Sequence, residues 1–208
     1  MSSCHPVLPS QIEAATELWS TVDSWVGTDS ALNALAQGFP ENDHDSILLK
    51  VVTVNALYST NVYAVWRMAE HVHEVLASPG GLNGPELVDE MAKLDNRSHR
   101  SFASKFAHFF LDKERFPILD QFACQRLAHH LGARKVWPGS YTEFHRWFEK
   151  LRPLCGGQFT NKGIDQYLWI AGMYSSWRAN RSGMLSKDAV RLFTLEDSRT
   201  QGLLARLL

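Results

Sequence analysis

The segment of residues 46–77 constrains the fold more than any other part of the chain. It is rich in apolar residues and too long for one simple helix, and a polar run, Ser59-Thr60-Asn61, lies in its middle. Ser, Thr and Asn side chains compete with the backbone for hydrogen bonds, so they favour caps and turns over helix interiors. The pattern predicts one helix that ends near Leu57 and another that begins near Asn61. The β-branched run at 51–54 lies inside this apolar context, which favours a buried helix over a strand.

Amphipathic helical patterns continue along the rest of the chain and predict an all-α fold. The first has Ile12, Ala15, Leu18, Trp19 and Val22 on one face. Asp29 or Ser30 is expected to cap the second predicted helix, and Asp45 or Ser46 the third. Turn residues at 38–45 and at Ser78-Pro79-Gly80-Gly81 separate neighbouring helices. Apart from the two helices within residues 46–77, the predicted helices span residues 10–27, 29–37, 84–94, 100–111, 119–131, 140–151, 161–178 and 186–194.

Composition and motifs narrow the class of protein. The N-terminus lacks a basic region followed by an apolar run, and no stretch approaches 18 apolar residues, so we expect neither a signal peptide nor a membrane span. Three widely spaced cysteines favour a reducing, cytoplasmic compartment and no disulfide framework. Signatures of P-loop, Rossmann, HExxH and Gly-x-Ser-x-Gly sites are missing from the sequence. We expect no metal and no cofactor.

The charges are unevenly distributed along the chain. Residues 1–96 hold 3 Lys/Arg against 13 Asp/Glu, whereas residues 97–162 hold 12 against 5. A basic segment of this kind can attract a polyanion even though the net charge of the whole chain is −1. The charges are equally compatible with an ordinary solvated surface.

Two short segments carry a candidate catalytic pair. The first is Ser101-Phe102-Ala103-Ser104-Lys105-Phe106-Ala107, and the second is Phe116-Pro117-Ile118-Leu119-Asp120. Together they resemble helix-hairpin-helix base-excision DNA glycosylases, in which a hairpin is followed by a lysine that opens an apolar helix. The resemblance implies that Lys105 is the nucleophile and that Asp120 assists it. Taken singly, Lys105 could instead snorkel from a surface helix and Asp120 could be an N-cap.

Two further segments are similar to the 8-oxoguanine glycosylase branch of this superfamily. Tyr58-Ser59-Thr60-Asn61-Val62-Tyr63-Ala64, followed by Met68 and Glu70, resembles its helix junction. The likeness implies that Ser59 or Thr60 fills the space left by a flipped nucleotide and that Asn61 supports it. A capping turn would also explain these residues.

Gly163-Ile164-Asp165-Gln166-Tyr167-Leu168-Trp169-Ile170 is similar to the helix that reads the extruded base. It implies a base pocket formed by Gln166, Trp169, Ile170 and Asp165. In the structural alternative, Trp169 lies in the core and Gln166 lies on the surface.

The resemblance covers residues 46–178, with gaps, and departs from the family at the hairpin. Ser101 and Ala103 stand where glycines usually let backbone N–H groups approach a phosphate. Side chains are expected to compensate. The predicted DNA contacts are Ser59, Thr60, Asn61, Arg97, His99, Arg100, Ser101, Arg126 and Arg134.

The resemblance therefore predicts a two-lobed, all-α, helix-hairpin-helix glycosylase-like protein. Residues 1–208 would form one unit in which the N- and C-terminal helices pack as a second lobe. Its activity would be DNA repair by base flipping and excision of a modified or damaged base. A lysine Schiff base would add lyase activity if the enzyme is bifunctional. A catalytically inactive DNA-binding module and a helical protein-interaction subunit, for example in bacterial anti-phage defence, remain open alternatives.

Overall fold

The computed structural model describes residues 4–156, 159–181, 183 and 185–208. Within these residues the chain forms eleven α-helices, one 3-10 helix and one two-stranded sheet, which confirms the predicted all-α fold. The helices are α1 Pro9–Ser20, α2 Asp23–Gly38, α3 His44–Tyr58, α4 Val65–Ala77, α5 Pro85–Met91, α6 Arg100–Phe110, α7 Gln121–His130, α8 Tyr141–Leu151, α9 Asn161–Arg178, α10 Lys187–Thr194 and α11 Ser198–Arg206. The strands are β1 Lys93–Leu94 and β2 Arg97–Ser98, and the 3-10 helix is Arg152–Cys155.

The chain divides into two compact units. The first comprises residues 1–27, 120–138 and 146–208, and the second comprises residues 28–119 and 139–145. The predicted arrangement of residues 1–208 as a single glycosylase-like unit stays a prediction.

The first unit is built around α9, which contacts α1, α7 and α10, while α11 lies against α1. Helix α9 approaches α7 so closely that a Cβ added at Gly172 would lie 2.3 Å from the carbonyl oxygen of Phe122. Real Cβ atoms do not come this near to backbone atoms, so only glycine is compatible with this helix crossing.

The second unit packs α3 against α4 and α6, and α5 against α4 and α6. An antiparallel hairpin pairs Lys93 with Ser98 and Leu94 with Arg97. Its two turn residues, Asp95 and Asn96, both have positive φ, which suits the tight turn of a two-residue hairpin.

Local sequence signals fixed many helix ends correctly. Helix α9 has the predicted bounds, α10 begins one residue later than predicted, and α3 ends one residue later. Ser59, just after α3, is in the left-handed conformation. The residues at 51–54 are helical, as expected.

Four local expectations are wrong. The first break lies at Thr21 and Val22 rather than near residue 28, because the Thr21 hydroxyl donates to the Leu18 carbonyl and ends α1 there. Asp29 and Ser30 therefore lie inside α2. Asp43, not Asp45 or Ser46, caps α3, and its carboxylate accepts from the backbone N–H groups of Asp45 and Ser46. Helix α4 begins at Val65, four residues later than predicted. Helix α11 follows α10, which was predicted to be the last helix.

Candidate active site and nucleic-acid interface

Lys105 is a buried amine in the second unit. It is the sixth residue of α6 and only 6% exposed, so the alternative in which it snorkels to the surface is wrong. Its Nζ donates to Oγ of Ser101, one turn earlier, at 2.8 Å. The same Nζ lies 5.3 Å from the ring centroid of Tyr58 at the end of α3. The amine is therefore enclosed within the second unit by a hydroxyl and an aromatic ring.

The predicted hairpin before Lys105 is replaced by regular helix. Residues 101–104 belong to the first turns of α6, and Lys105 lies in the interior of this helix rather than at its start. The backbone N–H of Ala103 donates to the His99 carbonyl at 2.9 Å, and Ala103 is fully buried. Without the two glycines the chain continues as helix, because Ser and Ala are far better helix formers. The hairpin that the resemblance implies is therefore not formed at Ser101 and Ala103, and the DNA contact predicted for Ser101 stays a prediction. The hairpin that the chain does form is β1–β2, immediately upstream.

Asp120 caps α7 in the first unit. Its Oδ1 accepts from the backbone N–H groups of Phe122 at 2.7 Å and Ala123 at 3.3 Å. This confirms the capping alternative, although a capping carboxylate can also stabilise a nearby cation. Lys105 and Asp120 belong to different units. The catalytic role of Asp120 stays a prediction.

The predicted orphan-base loop is braced by a side chain of α3. The Asn55 amide nitrogen donates to the Val62 carbonyl, and the Asn55 oxygen accepts from the Val62 backbone N–H, each at 3.0 Å. The Thr60 hydroxyl donates to the same Asn55 oxygen at 2.9 Å. Ser59 and Asn61 both have positive φ and are exposed. The loop is thus an ordered, solvent-facing turn, and its DNA contacts stay predictions.

The predicted phosphate-binding side chains divide into surface and core groups. Arg97 and Arg134 are exposed, and His99 and Arg100 are half-buried. Burial, and then the charge of Arg97, lower the pKa of His99 below 6.5, so this side chain is neutral at pH 7.

The predicted phosphate contact of Arg126 is wrong, because this side chain is buried. It is 8% exposed, and its guanidinium donates to the Tyr167 hydroxyl at 3.0 Å and 3.1 Å. A third hydrogen bond, of 3.2 Å, reaches the carbonyl oxygen of Leu207. The guanidinium is therefore used to join α7, α9 and the C-terminal residues of the first unit.

Gln166 lines a groove in the first unit. The groove has a volume of about 660 Å³ and lies between one face of α1 and the N-terminal end of α9. Its lining residues are Glu13, Thr16, Glu17, Ser20, Phe159, Thr160, Lys162, Gly163 and Gln166. This volume is within the range of small-ligand sites.

The other predicted base-pocket residues do not line this groove. Ile170 is fully buried and cannot touch an extruded base. Trp169 is half-buried and packs against Trp19 and Trp25, with ring centroids 5.5 Å and 4.9 Å away, and the alternative that placed Gln166 on the surface is wrong, since Gln166 is 8% exposed. Asp165 is 7% exposed. Only Gln166 keeps a position from which a planar ligand could be read.

Sequence reasoning missed three features of these sites. The cation–π contact from Tyr58 to Lys105 joins residues far apart in the chain, and no local pattern indicates it. The groove-lining residues of α1 recur with helical spacing at 13, 16, 17 and 20, which could have marked a second polar face. Tyr63 is 83% exposed in the α3–α4 loop, an unusual position for an aromatic side chain.

Neither a membrane-spanning helix nor a cluster of metal-binding side chains occurs among the described residues. No described helix combines the length and apolar character needed to cross a membrane. No group of three or more His, Cys, Asp or Glu among the described residues is placed to hold a metal ion.

Comparison with known proteins gives one match. The model of a family designated HI_0787_N, described as an N-terminal domain, matches residues 11–115, which is half of the 208 residues. Lys105 lies within the matched region, whereas Asp120 and Gln166 lie beyond it. No curated protein and no solved structure matches the chain. The chain therefore belongs to the HI_0787_N family.

Proposed function

We propose that the protein is a DNA glycosylase that excises a modified base through Lys105. The observation that carries the proposal is the setting of this lysine. Its amine is buried in α6, held by the Ser101 hydroxyl and covered by the Tyr58 ring. Burying an amine is costly, so this arrangement suggests a specific use for it.

The proposed reaction begins when the neutral amine of Lys105 attacks C1′ of an extruded nucleotide. The N-glycosidic bond breaks, and its electron pair leaves with the base, which takes up a proton. The new C–N bond on the sugar then rearranges to a Schiff base with opening of the ring. The family resemblance assigns to Asp120 the stabilisation of the positive charge that develops on the sugar, and this role stays a prediction.

Gln166 and the exposed arginines supply the recognition elements. The Gln166 amide offers one donor and one acceptor side to a base edge. Arg97 and Arg134 are exposed, and each would contribute a salt-sensitive phosphate contact. DNA is accordingly the proposed partner.

Borohydride trapping tests the mechanism directly, because it reduces a Schiff base to a stable covalent adduct. The full chain is incubated with duplexes that carry a panel of modified bases. The wild-type protein should give an adduct, and Lys105→Met, which keeps the apolar stem, should give none. Lys50→Met is the matched control. Lys50 is a second buried lysine of the same unit, 1% exposed, whose Nζ donates to the Glu41 carbonyl.

Three outcomes would contradict the mechanism. The first is the failure of every duplex in the panel to give an adduct with wild-type protein. The second is an adduct that persists in Lys105→Met. The third is equal loss of the adduct in Lys105→Met and in Lys50→Met, which would show that trapping reports folding rather than the nucleophile.

One observation favours a second candidate, a nucleic-acid-binding module without catalysis. Regular helix replaces the predicted hairpin at residues 101–104. Such a module would bind DNA with an affinity that falls with salt, but it would release no base from any duplex of the panel. Fluorescence anisotropy at two salt concentrations, run beside the trapping assay, separates the two candidates.

A further inference from the structure

The groove between α1 and α9 has two chemically different walls. Glu13, Thr16, Glu17 and Ser20 occupy one face of α1, where their spacing of three and four residues brings them into line. The opposite wall is the N-terminal end of α9, with Thr160, Lys162 and Gly163. One wall is therefore rich in hydrogen-bond acceptors, and the other has positive character.

The α9 wall has the features of a phosphate site. Helix α9 is 18 residues long and its Gly163 N–H is capped by the Thr160 hydroxyl, and the N-terminus of a helix carries partial positive charge. Lys162 is the second residue of this helix and adds a full positive charge. Phe159 lines the groove just before the helix, where an aromatic face can stack on a planar ring.

Gln166 points to a ligand independently of the charges. It is 8% exposed and lines the groove, yet no described residue hydrogen-bonds its side-chain amide. Its amide atoms are not cut off from solvent, so they face the open groove, where a ligand with its own donor and acceptor would replace solvent. Gln166 lies one turn along α9 from Lys162, so one small molecule can reach both residues.

The α1 wall determines what such a ligand must present. Glu17 is engaged by Arg199, whose guanidinium donates to it at 2.6 Å. Glu13 makes no hydrogen bond or ion pair with any described residue. A free carboxylate accepts hydrogen bonds and donates none, so it favours an amino group over a carbonyl at the position that it faces.

We propose that this groove binds one nucleotide whose base carries an exocyclic amine. The phosphate lies at the N-terminus of α9 beside Lys162, and the base stacks on Phe159. Gln166 reads the ring edge, and Glu13 accepts from the amine. The inference stands apart from the proposed function, because every residue that lines the groove belongs to the first unit.

Binding of matched nucleotide pairs to the full chain tests the inference without requiring catalysis. Adenosine and inosine monophosphates differ by an amine against a carbonyl, as do cytidine and uridine monophosphates. Calorimetry should show tighter binding of the amino member of each pair. Amide chemical-shift changes in the protein should centre on residues 13–20 and 159–166. Adenine- and hypoxanthine-containing single strands repeat the comparison for a nucleotide within nucleic acid.

Two variants assign the roles of the side chains. Gln166→Leu should weaken binding of the adenosine nucleotide about tenfold, because a base edge loses its partner. Glu13→Gln should reduce the preference for the amine by about two- to fivefold, the scale of an exposed charged interaction. Glu74→Gln, on α4 of the second unit, is the matched control and should change neither value.

Equal affinity for the two members of each pair would overturn the inference, and so would shift changes confined to other residues or the absence of binding. Failure of the proposed function is read separately, in the trapping assay. Selective binding of adenosine nucleotides without covalent adducts would sustain the groove and refute the glycosylase. Covalent adducts together with equal affinity for the two members of each pair would sustain the glycosylase and refute the groove.

Discussion

Lowering the pH from neutral to about 4 should destabilise the protein through His130. This side chain lies at the centre of a buried network of the first unit and is 2% exposed. Its Nδ1 is 2.8 Å from the His5 carbonyl oxygen, and its Nε2 is 2.8 Å from the Tyr167 hydroxyl. A carbonyl only accepts, so Nδ1 carries the proton and donates to His5. Nε2 then accepts from Tyr167, whose oxygen accepts in turn from Arg126.

Protonation of His130 would disrupt this arrangement. A proton on Nε2 would turn an acceptor into a donor, so the Tyr167 hydroxyl could no longer donate to it. Burial is the main cause that lowers the pKa of His130 from 6.5 to about 4, and the Arg126 charge also contributes. At about 1.4 kcal/mol for each pKa unit, the difference amounts to about 3 kcal/mol.

The direction in which stability changes with pH depends on which state, folded or unfolded, binds the proton more readily. Below pH 6.5 the unfolded chain protonates this histidine, whereas the folded protein does so only near pH 4. Stability is therefore fully present above pH 6.5 and falls as the pH drops toward 4, after which this contribution changes no further. The lowered pKa of His129, caused chiefly by burial, adds to the loss in the same direction.

Urea unfolding followed by tryptophan fluorescence, repeated across this pH range, measures the effect. His130→Gln keeps a polar side chain but cannot titrate, so its free energy of unfolding should be lower at neutral pH and fall less steeply as the pH drops. His129→Gln, at the neighbouring position outside the Tyr167 network, is the control and should retain most of the wild-type slope. Equal slopes for wild type and His130→Gln between pH 6.5 and about 4 would refute the reasoning.

Three further predictions concern stability and the site. Gly172→Ala should lower the free energy of unfolding by about 1–3 kcal/mol or more because of the clash with Phe122. Gly27→Ala, in open space within α2, is the control and should be neutral or stabilising by up to about 1 kcal/mol. Equal effects of the two substitutions in urea unfolding would contradict the packing argument. Asp120→Asn keeps the capping oxygen, so stability should change by less than about 0.5 kcal/mol, while base release falls sharply if the carboxylate is catalytic; unchanged release would leave it only a cap. Asn55→Ala should speed hydrogen exchange in the 59–63 loop and cost about 1–3 kcal/mol, and unaltered exchange would show that the loop is braced by other contacts.

Local signals in the sequence were sufficient where a helix end depends on neighbouring residues. The polar run at 59–61 separates α3 from α4, and Gly132, with positive φ, follows α7. Thr160 caps α9 and Ser186 caps α10. Each of these ends is decided within a few residues, because capping and left-handed conformations are properties of a short segment.

At residues 101–104 the family resemblance and the local pattern disagree. The resemblance predicts a hairpin before Lys105, whereas the helical pattern of residues 100–111 predicts the helix that the structure shows as α6. The break at Thr21 is marked by no Gly or Pro, and so the first two helices were divided at the wrong place.

The sequence by itself determined that the chain is helical, where most helices end, and that Lys105 and Gln166 carry potential chemistry. Only the tertiary structure decided which of the polar side chains can reach a ligand and which are buried in the core. Packing turned Arg126 inward to Tyr167, buried Ile170 in the core and placed the Tyr58 ring over the amine of Lys105. These outcomes depend on contacts between residues distant in the chain, and such contacts leave no trace in the local pattern of residue types.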